Sequence, residues 1–178
     1  NPDLYIQAAL LSASKTENIS AVNSYLEKAY KAGTEEQRSR AALIGAVSYN
    51  DAEDFVKAKQ WLAKVTATAY TFDKTILAAS IEAKQGNHKE AWALVQRAQK
   101  MPEQRGRYFE AGDLLNTALF VLSKNTNLQE SLNALNSLVN STEKSLKTQA
   151  SPELLANVLY QRSMVYEKLN QPGKAIAD

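Results

Sequence analysis

The stretch that decides the fold is residues 83–100, AKQGNHKEAWALVQRAQK. Its glycine and asparagine separate two helical patterns, because glycine is favoured just past the end of a helix. After them, Ala91, Leu94 and Ala98 recur at the spacing of one helix face. The stretch therefore predicts a helix, a tight turn and a second helix that approaches the first through small residues. If this unit recurs, the chain is an array of helix hairpins instead of a globule with a single core.

The composition limits the classes of protein to consider. The chain has 178 residues, of which 44% are hydrophobic and 22% are charged, and these values are typical of globular proteins. Its formal net charge is +2, with acids and bases interspersed, so we expect no nucleic-acid partner. No apolar run approaches the roughly 20 residues of a membrane-spanning helix, so we expect no direct membrane insertion. The absence of cysteine excludes disulfides, thiolate metal sites and a cysteine nucleophile.

Helical patterning extends along almost the whole chain, and no strand-like alternation is sustained. Pro2, Pro152 and Pro172 lie where helices would begin, and Pro102 lies where one would end. The pattern predicts an all-α fold with ten helices, near residues 3–15, 19–32, 36–50, 54–68, 71–84, 88–100, 107–124, 128–144, 152–169 and 172–178.

The opening pattern recurs along the chain. The position of Ala91, which we call the alanine slot, corresponds elsewhere to Val22, Ala58, Ser131 and Ala175. Tyr49 and Tyr166 each lie nine residues before a slot, and Glu82 takes that place before Ala91. Successive slots are 36, 33, 40 and 44 residues apart. Small residues let paired helices approach closely, and one pair cannot bury its apolar stripe alone, so neighbouring pairs must stack.

Two-helix units with a period of 33–36 residues resemble the tetratricopeptide repeat. The likeness is good at residues 38–66, 72–101 and 155–178, and weaker in the other two units. It implies a right-handed α-solenoid of about five antiparallel helix-turn-helix repeats, forming a single domain over residues 1–178. A helical bundle without repeats is the alternative. The last predicted helix has no end signal, so we expect the chain to be a fragment of a longer protein.

The resemblance also implies a concave groove that is lined by the first helix of each unit. The groove positions of the three well-matched units are Arg40, Leu43, Val47, Asn50, Asp73, Ile76, Ser80, Ala83, Asn157, Tyr160, Met164 and Glu167. Such a mixed and mostly neutral surface suits an extended or helical peptide with apolar anchors. The alternative is that some of these side chains pack between units.

The residues give little support to an enzyme. The only histidine, His88, is expected to be exposed at a helix start, and no histidine-based metal spacing is present. The chain also has no glycine-rich phosphate loop and no nucleophile motif. Carboxylates such as Asp54 lie near predicted helix ends, where we expect them to cap helices. We therefore predict no enzymatic activity, no cofactor and no metal site.

Two other features allow more than one interpretation. A basic and aromatic run could hold an acidic or phosphorylated partner, or stack on RNA, or simply form a solvated loop; it comprises Arg97, Lys100, Arg105, Arg107, Tyr108 and Phe109. Trp61 and Trp92 lie on second helices, where we expect them to pack between repeats instead of stacking on a ligand.

The resemblance implies a non-enzymatic scaffold that binds another protein or a peptide segment in its groove. The chain is similar to repeat domains of assembly and export proteins in Gram-negative bacteria, so we expect a periplasmic or outer-membrane-associated location, with the cytoplasm as the alternative. The alternative function is a solenoid appendage of an enzyme or of a polysaccharide or secretion apparatus, contacting a glycan or a channel. Tyr160 is the groove ring best suited to stack on a sugar.

Overall fold

A computed structural model describes residues 1–15, 19–101, 111–146 and 152–178. Within these ranges the chain is helical and contains no strand, so the all-α prediction is confirmed. The helices are α1 Pro2–Lys15, α2 Ile19–Ala32, α3 Glu35–Asp51, α4 Phe55–Ala63, α5 Thr71–Lys84, α6 His88–Gln99, α7 Ala111–Lys124, α8 Leu128–Leu146, α9 Pro152–Lys168 and α10 Pro172–Ala177. Eight of the ten predicted helices agree with these bounds to within two residues. The predicted start of the seventh helix, at residue 107, and the boundary at Pro102 lie outside the described residues.

The fourth helix is shorter than predicted. We expected a helix to residue 68, but α4 ends at Ala63 and a 3-10 turn over Thr68–Tyr70 precedes α5. The backbone amides of Thr66 and Ala67 donate to the Ser39 hydroxyl oxygen at 3.1 and 2.9 Å. Ser39 is fully buried on α3, so this contact with a distant residue takes the place of the local hydrogen bonds that would extend the helix.

Neighbouring helices pack against each other in pairs. The packed pairs are α1 with α2, α3 with α4, α5 with α6, α8 with α9 and α9 with α10, and α2 also packs on α3. The chain divides into two compact units, Asn1–Leu114 and Leu115–Asp178.

The first unit has a core that is rich in small side chains. Alanines such as Ala46 and Ala58 are fully buried between larger residues, among them Leu26 and Leu43. The helices α3 and α4 approach closely at Gly45 on α3, where a Cβ atom would lie only 2.7 Å from the indole of Trp61 on α4. Absence of a side chain at Gly45 therefore makes room for the largest aromatic residue of the core.

Three of the described hairpin turns share one backbone geometry. In the turn between α3 and α4, the Asp54 amide donates to the Tyr49 carbonyl at 2.9 Å, and the Glu53 amide donates to the Asn50 carbonyl at 3.2 Å. This pair of bonds is a Schellman motif, which satisfies carbonyls at the end of the first helix. The same two bonds recur in the α5–α6 and α9–α10 turns, joining Asn87 to Glu82, Gly86 to Ala83, Gln171 to Tyr166 and Asn170 to Glu167.

The Schellman motif requires a left-handed residue, and the three turns fill that position differently. Gly86 has a φ of 85°, whereas Glu53 and Asn170 have φ values of 59° and 57°. The prediction that glycine interrupts the helices at Gly86 is confirmed. A side chain with a Cβ atom is disfavoured in this conformation by about 1–2 kcal/mol, although asparagine tolerates it better than most residues.

Substitutions at these positions should change stability in opposite directions. We expect Glu53→Gly to raise the free energy of unfolding by about 0.5–1 kcal/mol and Gly86→Ala to lower it by about 1 kcal/mol, because the first relieves left-handed strain and the second introduces it. Asn170→Gly should have a smaller effect than Glu53→Gly. Urea denaturation followed by circular dichroism measures all three. A loss of stability in Glu53→Gly would mean that backbone strain does not govern this turn.

The five alanine slots fall at the same position within their respective helices. Each slot is the fourth residue of the second helix of a hairpin, as Ala58 is in α4 and Ala91 is in α6. The slot residues are buried in α2, α4, α6 and α8, and Ala175 in α10 is half-buried. At Ser131, the slot in α8, the hydroxyl donates to the Leu122 carbonyl of α7 at 3.5 Å. At this slot, a small residue therefore lies in close contact with the first helix of the hairpin.

The second unit is held partly by a polar network on α9. The Arg162 guanidinium donates to both carboxylate oxygens of Asp178 and to the Asn136 side-chain oxygen of α8 at 3.1 Å. The hydrogen bonds to Asp178 raise the pKa of the Arg162 guanidinium above its ordinary value, against the opposing effect of burial. The apolar core of this unit includes Leu135 and Val158.

Candidate functional site

The predicted groove residues of the first unit are mostly buried. Leu43, Asn50, Asp73, Ile76 and Ala83 have little or no exposed surface, Val47 and Ser80 are half-buried, and Arg40 is exposed. Ile76 packs in a cluster with Phe72 and Ala98, covered by Met101 and Leu114. In this unit most of the predicted positions therefore contribute to packing, which agrees with the alternative that we considered for them.

The predicted groove residues of the second unit form an exposed stripe on α9. Asn157, Tyr160, Met164 and Glu167 follow one another at intervals of three or four residues, so they share one face of the helix. Tyr160 is 63% exposed and Met164 is 36% exposed, and both flanking polar residues are exposed as well. We call these four residues the α9 stripe.

The α9 stripe combines groups that suit contact with a protein segment. The tyrosine has a large apolar ring with a polar end, so it can pack and donate a hydrogen bond at once. The methionine side chain is flexible and adapts to irregular apolar surfaces. An amide at Asn157 and a carboxylate at Glu167 lie at the two ends, where they can hydrogen-bond the backbone of a bound segment.

Before three of the slots, the side chain nine residues earlier contacts a charged residue of a second helix. The Lys57 ammonium lies 5.2 Å from the centre of the Tyr49 ring, and the Lys174 ammonium lies 5.6 Å from that of Tyr166. Both lysines are the third residue of their helix. These contacts stabilise the hairpins through cation–π attraction and leave little of Tyr49 exposed.

Glu82 lies nine residues before the slot at Ala91 in α6. It forms an ion pair with a lysine, whereas the two tyrosines form cation–π contacts. Lys59 forms an ion pair with it at 2.7 Å, and the Asn87 side-chain amide donates to its other oxygen at 2.7 Å. Burial alone would raise the pKa of the Glu82 carboxyl, but these hydrogen bonds hold it below its ordinary value. Glu82 is therefore a structural carboxylate that joins three helix segments.

Both tryptophans are buried, in agreement with the packing role that we expected. The Trp61 ring meets Tyr30 of α2 edge-on, with 6.3 Å between ring centres. The Lys64 ammonium lies 3.7 Å from the centre of the Trp61 ring and 3.2 Å from a carboxylate oxygen of Glu27. This cluster joins α2 to α4 and buries rings that a ligand would need to reach.

The other candidate residues differ in exposure and in hydrogen bonding. His88 is half-buried, so our expectation of an exposed histidine is wrong, and its Nδ1 has no hydrogen-bond partner among the described residues. Asp54 caps α4 by accepting from the Lys57 amide at 3.1 Å, as expected. Arg97 and Lys100 are exposed, and Arg105, Arg107, Tyr108 and Phe109 lie outside the described residues.

The described part of the chain contains no cluster of three or more histidine, cysteine or acidic side chains that could hold a metal ion. Its helices include none that is both long and apolar enough to cross a membrane. Sequence reasoning missed the approach of Gly45 to Trp61, because nothing in the local pattern distinguishes that glycine. No family model, no curated protein and no solved structure matches this chain.

Proposed function

We propose that this chain is a non-enzymatic protein-interaction module, built as a right-handed α-solenoid of about five tetratricopeptide-like hairpins. Two features support this architecture. The same Schellman turn occurs in three hairpins, and the slot residue is the fourth of the second helix in all five. Arrays of such hairpins present extended surfaces to other proteins.

The observation that carries the binding function is the exposure of Tyr160 and Met164 on the α9 stripe. An aromatic ring and a thioether that are adjacent and exposed favour an interaction site, since aromatic residues and methionine are enriched at protein interfaces. A bound segment would cover both with an apolar anchor, while Asn157 and Glu167 hydrogen-bond its backbone. The α9 stripe is thus our proposed contact surface for another protein or a peptide segment.

Peptide selection and affinity measurements test this proposal. Peptides selected on the immobilised chain should bind it with a Kd that rises about tenfold or more in Tyr160→Ala and several-fold in Met164→Ala, as expected for interface anchors. Val56→Ala is the matched control, because Val56 is an apolar residue with 69% exposure on α4. Isothermal titration calorimetry gives the three Kd values. Equal affinities for all three variants and the parent chain would refute the assignment to α9.

A second candidate function is contact with a glycan, which the exposed ring of Tyr160 favours. Sugars stack on exposed aromatic faces, so this function requires the ring but not the flanking thioether. Titration with a panel of oligosaccharides should then give saturable binding that Tyr160→Phe keeps and Tyr160→Ala loses. Binding that also depends on Met164 would favour the peptide instead.

We also propose the bacterial envelope as the location of the protein, either periplasmic or outer-membrane-associated. The support comes from the sequence alone: the chain has no cysteine, its helices are rich in Asn, Gln and Lys, and its predicted repeats resemble those of envelope assembly proteins. Fractionation of the source cells, followed by detection with an antibody against this chain, tests the location. Recovery in the cytoplasmic fraction alone would contradict it.

A further inference from the structure

The first unit contains a cavity of about 410 Å³ where the end of α4, the connector before α5, and the helices α5 and α6 meet. Cavities of a few hundred Å³ are the usual size of small-molecule sites. Its apolar walls are formed mainly by Leu62, Val65, Ala78 and Leu94. Its charged side chains are Lys74 of α5 and Arg97 of α6.

The cavity is separate from the predicted groove. The cavity residues of α5 include Lys74 and Ala78, whereas the predicted groove residues of the same helix include Ile76 and Ser80. With about 100° of rotation per residue, these two sets lie on nearly opposite faces of the helix. The cavity therefore uses a surface that the groove prediction did not consider.

The charged side chains that line the cavity are both cations. Two cationic side chains line it, and none of its described lining residues is a carboxylate. The Lys74 ammonium donates to the Val65 carbonyl at 2.8 Å, so it is held at the wall while the rest of its donors stay available. Arg97 is exposed at the edge of the same cavity, and its planar guanidinium is suited to a carboxylate.

The side chains that line the cavity limit the kind of anion that it can bind. The hydroxyls of Thr71 and Thr75 donate to the backbone carbonyls of Thr68 and Thr71, both at 2.8 Å, so they do not supply donors to an anion. Two cations, the Thr66 hydroxyl and an apolar wall fit a singly charged group attached to a hydrocarbon better than they fit a phosphate, which needs more donors.

We propose that this cavity binds an aliphatic carboxylate. The carboxylate contacts Lys74 and Arg97, and the hydrocarbon part lies against Leu62 and Leu94. The same chemistry is offered by a free short-chain acid and by the apolar C-terminal residue of a peptide. The proposal does not depend on the α9 stripe, which belongs to the second unit.

Titration of the ¹⁵N-labelled chain with hexanoate tests the proposal by NMR. We expect saturable shifts of the backbone amides of Thr66, Ala67 and Thr71, and no such shifts with hexanamide, which has the same hydrocarbon part without the charge. A third titration with acetyl-leucyl-leucine distinguishes the sources: tighter binding than hexanoate assigns the site to a chain end, and weaker binding assigns it to a free acid. Equal effects of hexanoate and hexanamide, or shifts that do not saturate, would overturn the proposal.

Variants that remove one positive charge test where the carboxylate binds. Arg97→Gln should weaken hexanoate binding about tenfold, because a charge-assisted hydrogen bond is lost, and Arg97→Lys should recover part of the affinity. Lys89→Gln is the matched control, since Lys89 is an exposed cation on the same helix that does not line the cavity. Unchanged affinity in Arg97→Gln, or an equal loss in Lys89→Gln, would reject the site.

Discussion

Replacing Trp61 with alanine is expected to lower the free energy of unfolding by about 4 kcal/mol. Trp61 is only 4% exposed, and removing a buried tryptophan loses its transfer free energy and leaves a cavity, at a typical cost of about 3–5 kcal/mol. The neighbour across the helix interface is Gly45, which has no side chain to move into the space. The ring contact with Tyr30 and the cation–π contact with Lys64 are lost as well.

Urea denaturation followed by circular dichroism measures this loss. Trp61→Phe should cost less, because it keeps part of the buried area. Val56→Ala, a highly exposed position on the same helix, should stay within about 0.5 kcal/mol of the parent chain. If Trp61→Ala lost less than 1 kcal/mol, the ring would not be the packing centre between α2, α3 and α4 that we describe.

The second large effect is expected at an alanine slot. Ala58 is fully buried as the fourth residue of α4, so Ala58→Leu forces three additional carbon atoms between helices in close contact. Overpacking of this kind costs about 1–3 kcal/mol, and we expect a value near the upper end because the surrounding core is already tight at Gly45.

Ala175→Leu is the matched control for the slot. Ala175 is also the fourth residue of its helix, α10, but it is half-buried. The same substitution should therefore change the free energy of unfolding by less than about 1 kcal/mol. Thermal and urea unfolding of both variants tests whether burial decides the cost. If both variants lost about 3 kcal/mol of unfolding free energy, the position in the helix would matter more than burial. If both lost less than about 1 kcal/mol, the slot would tolerate large side chains.

The helices of this protein were largely predictable from the sequence because their limits depend on local signals. The break at Gly86 reflects the conformational freedom of one residue. The start of α4 reflects the capping of the Lys57 amide by Asp54, three residues away. The early end of α4 was not predictable, because the Ser39 hydroxyl oxygen accepts hydrogen bonds from the amides of Thr66 and Ala67, which lie 27 and 28 residues further along the chain.

The candidate binding surface was only partly predictable for the same reason. Ile76 and Tyr160 were both expected in a groove from their positions on first helices. Ile76 is buried by Phe72 and Ala98, whereas Tyr160 is 63% exposed. Helical periodicity determines which residues share a face, but the neighbouring helices determine whether that face is covered.

The sequence by itself determined the all-α class, most helix limits and the common position of the alanine slots. These depend on hydrogen bonds, caps and side-chain spacings within a few residues. Only the tertiary structure decided that Gly45 admits the indole of Trp61, that the α9 stripe is exposed, and that Lys74 and Arg97 line one cavity. Each of these three features depends on residues of different helices. The packing of the helices sets the distances between those residues, and no local sequence pattern encodes them.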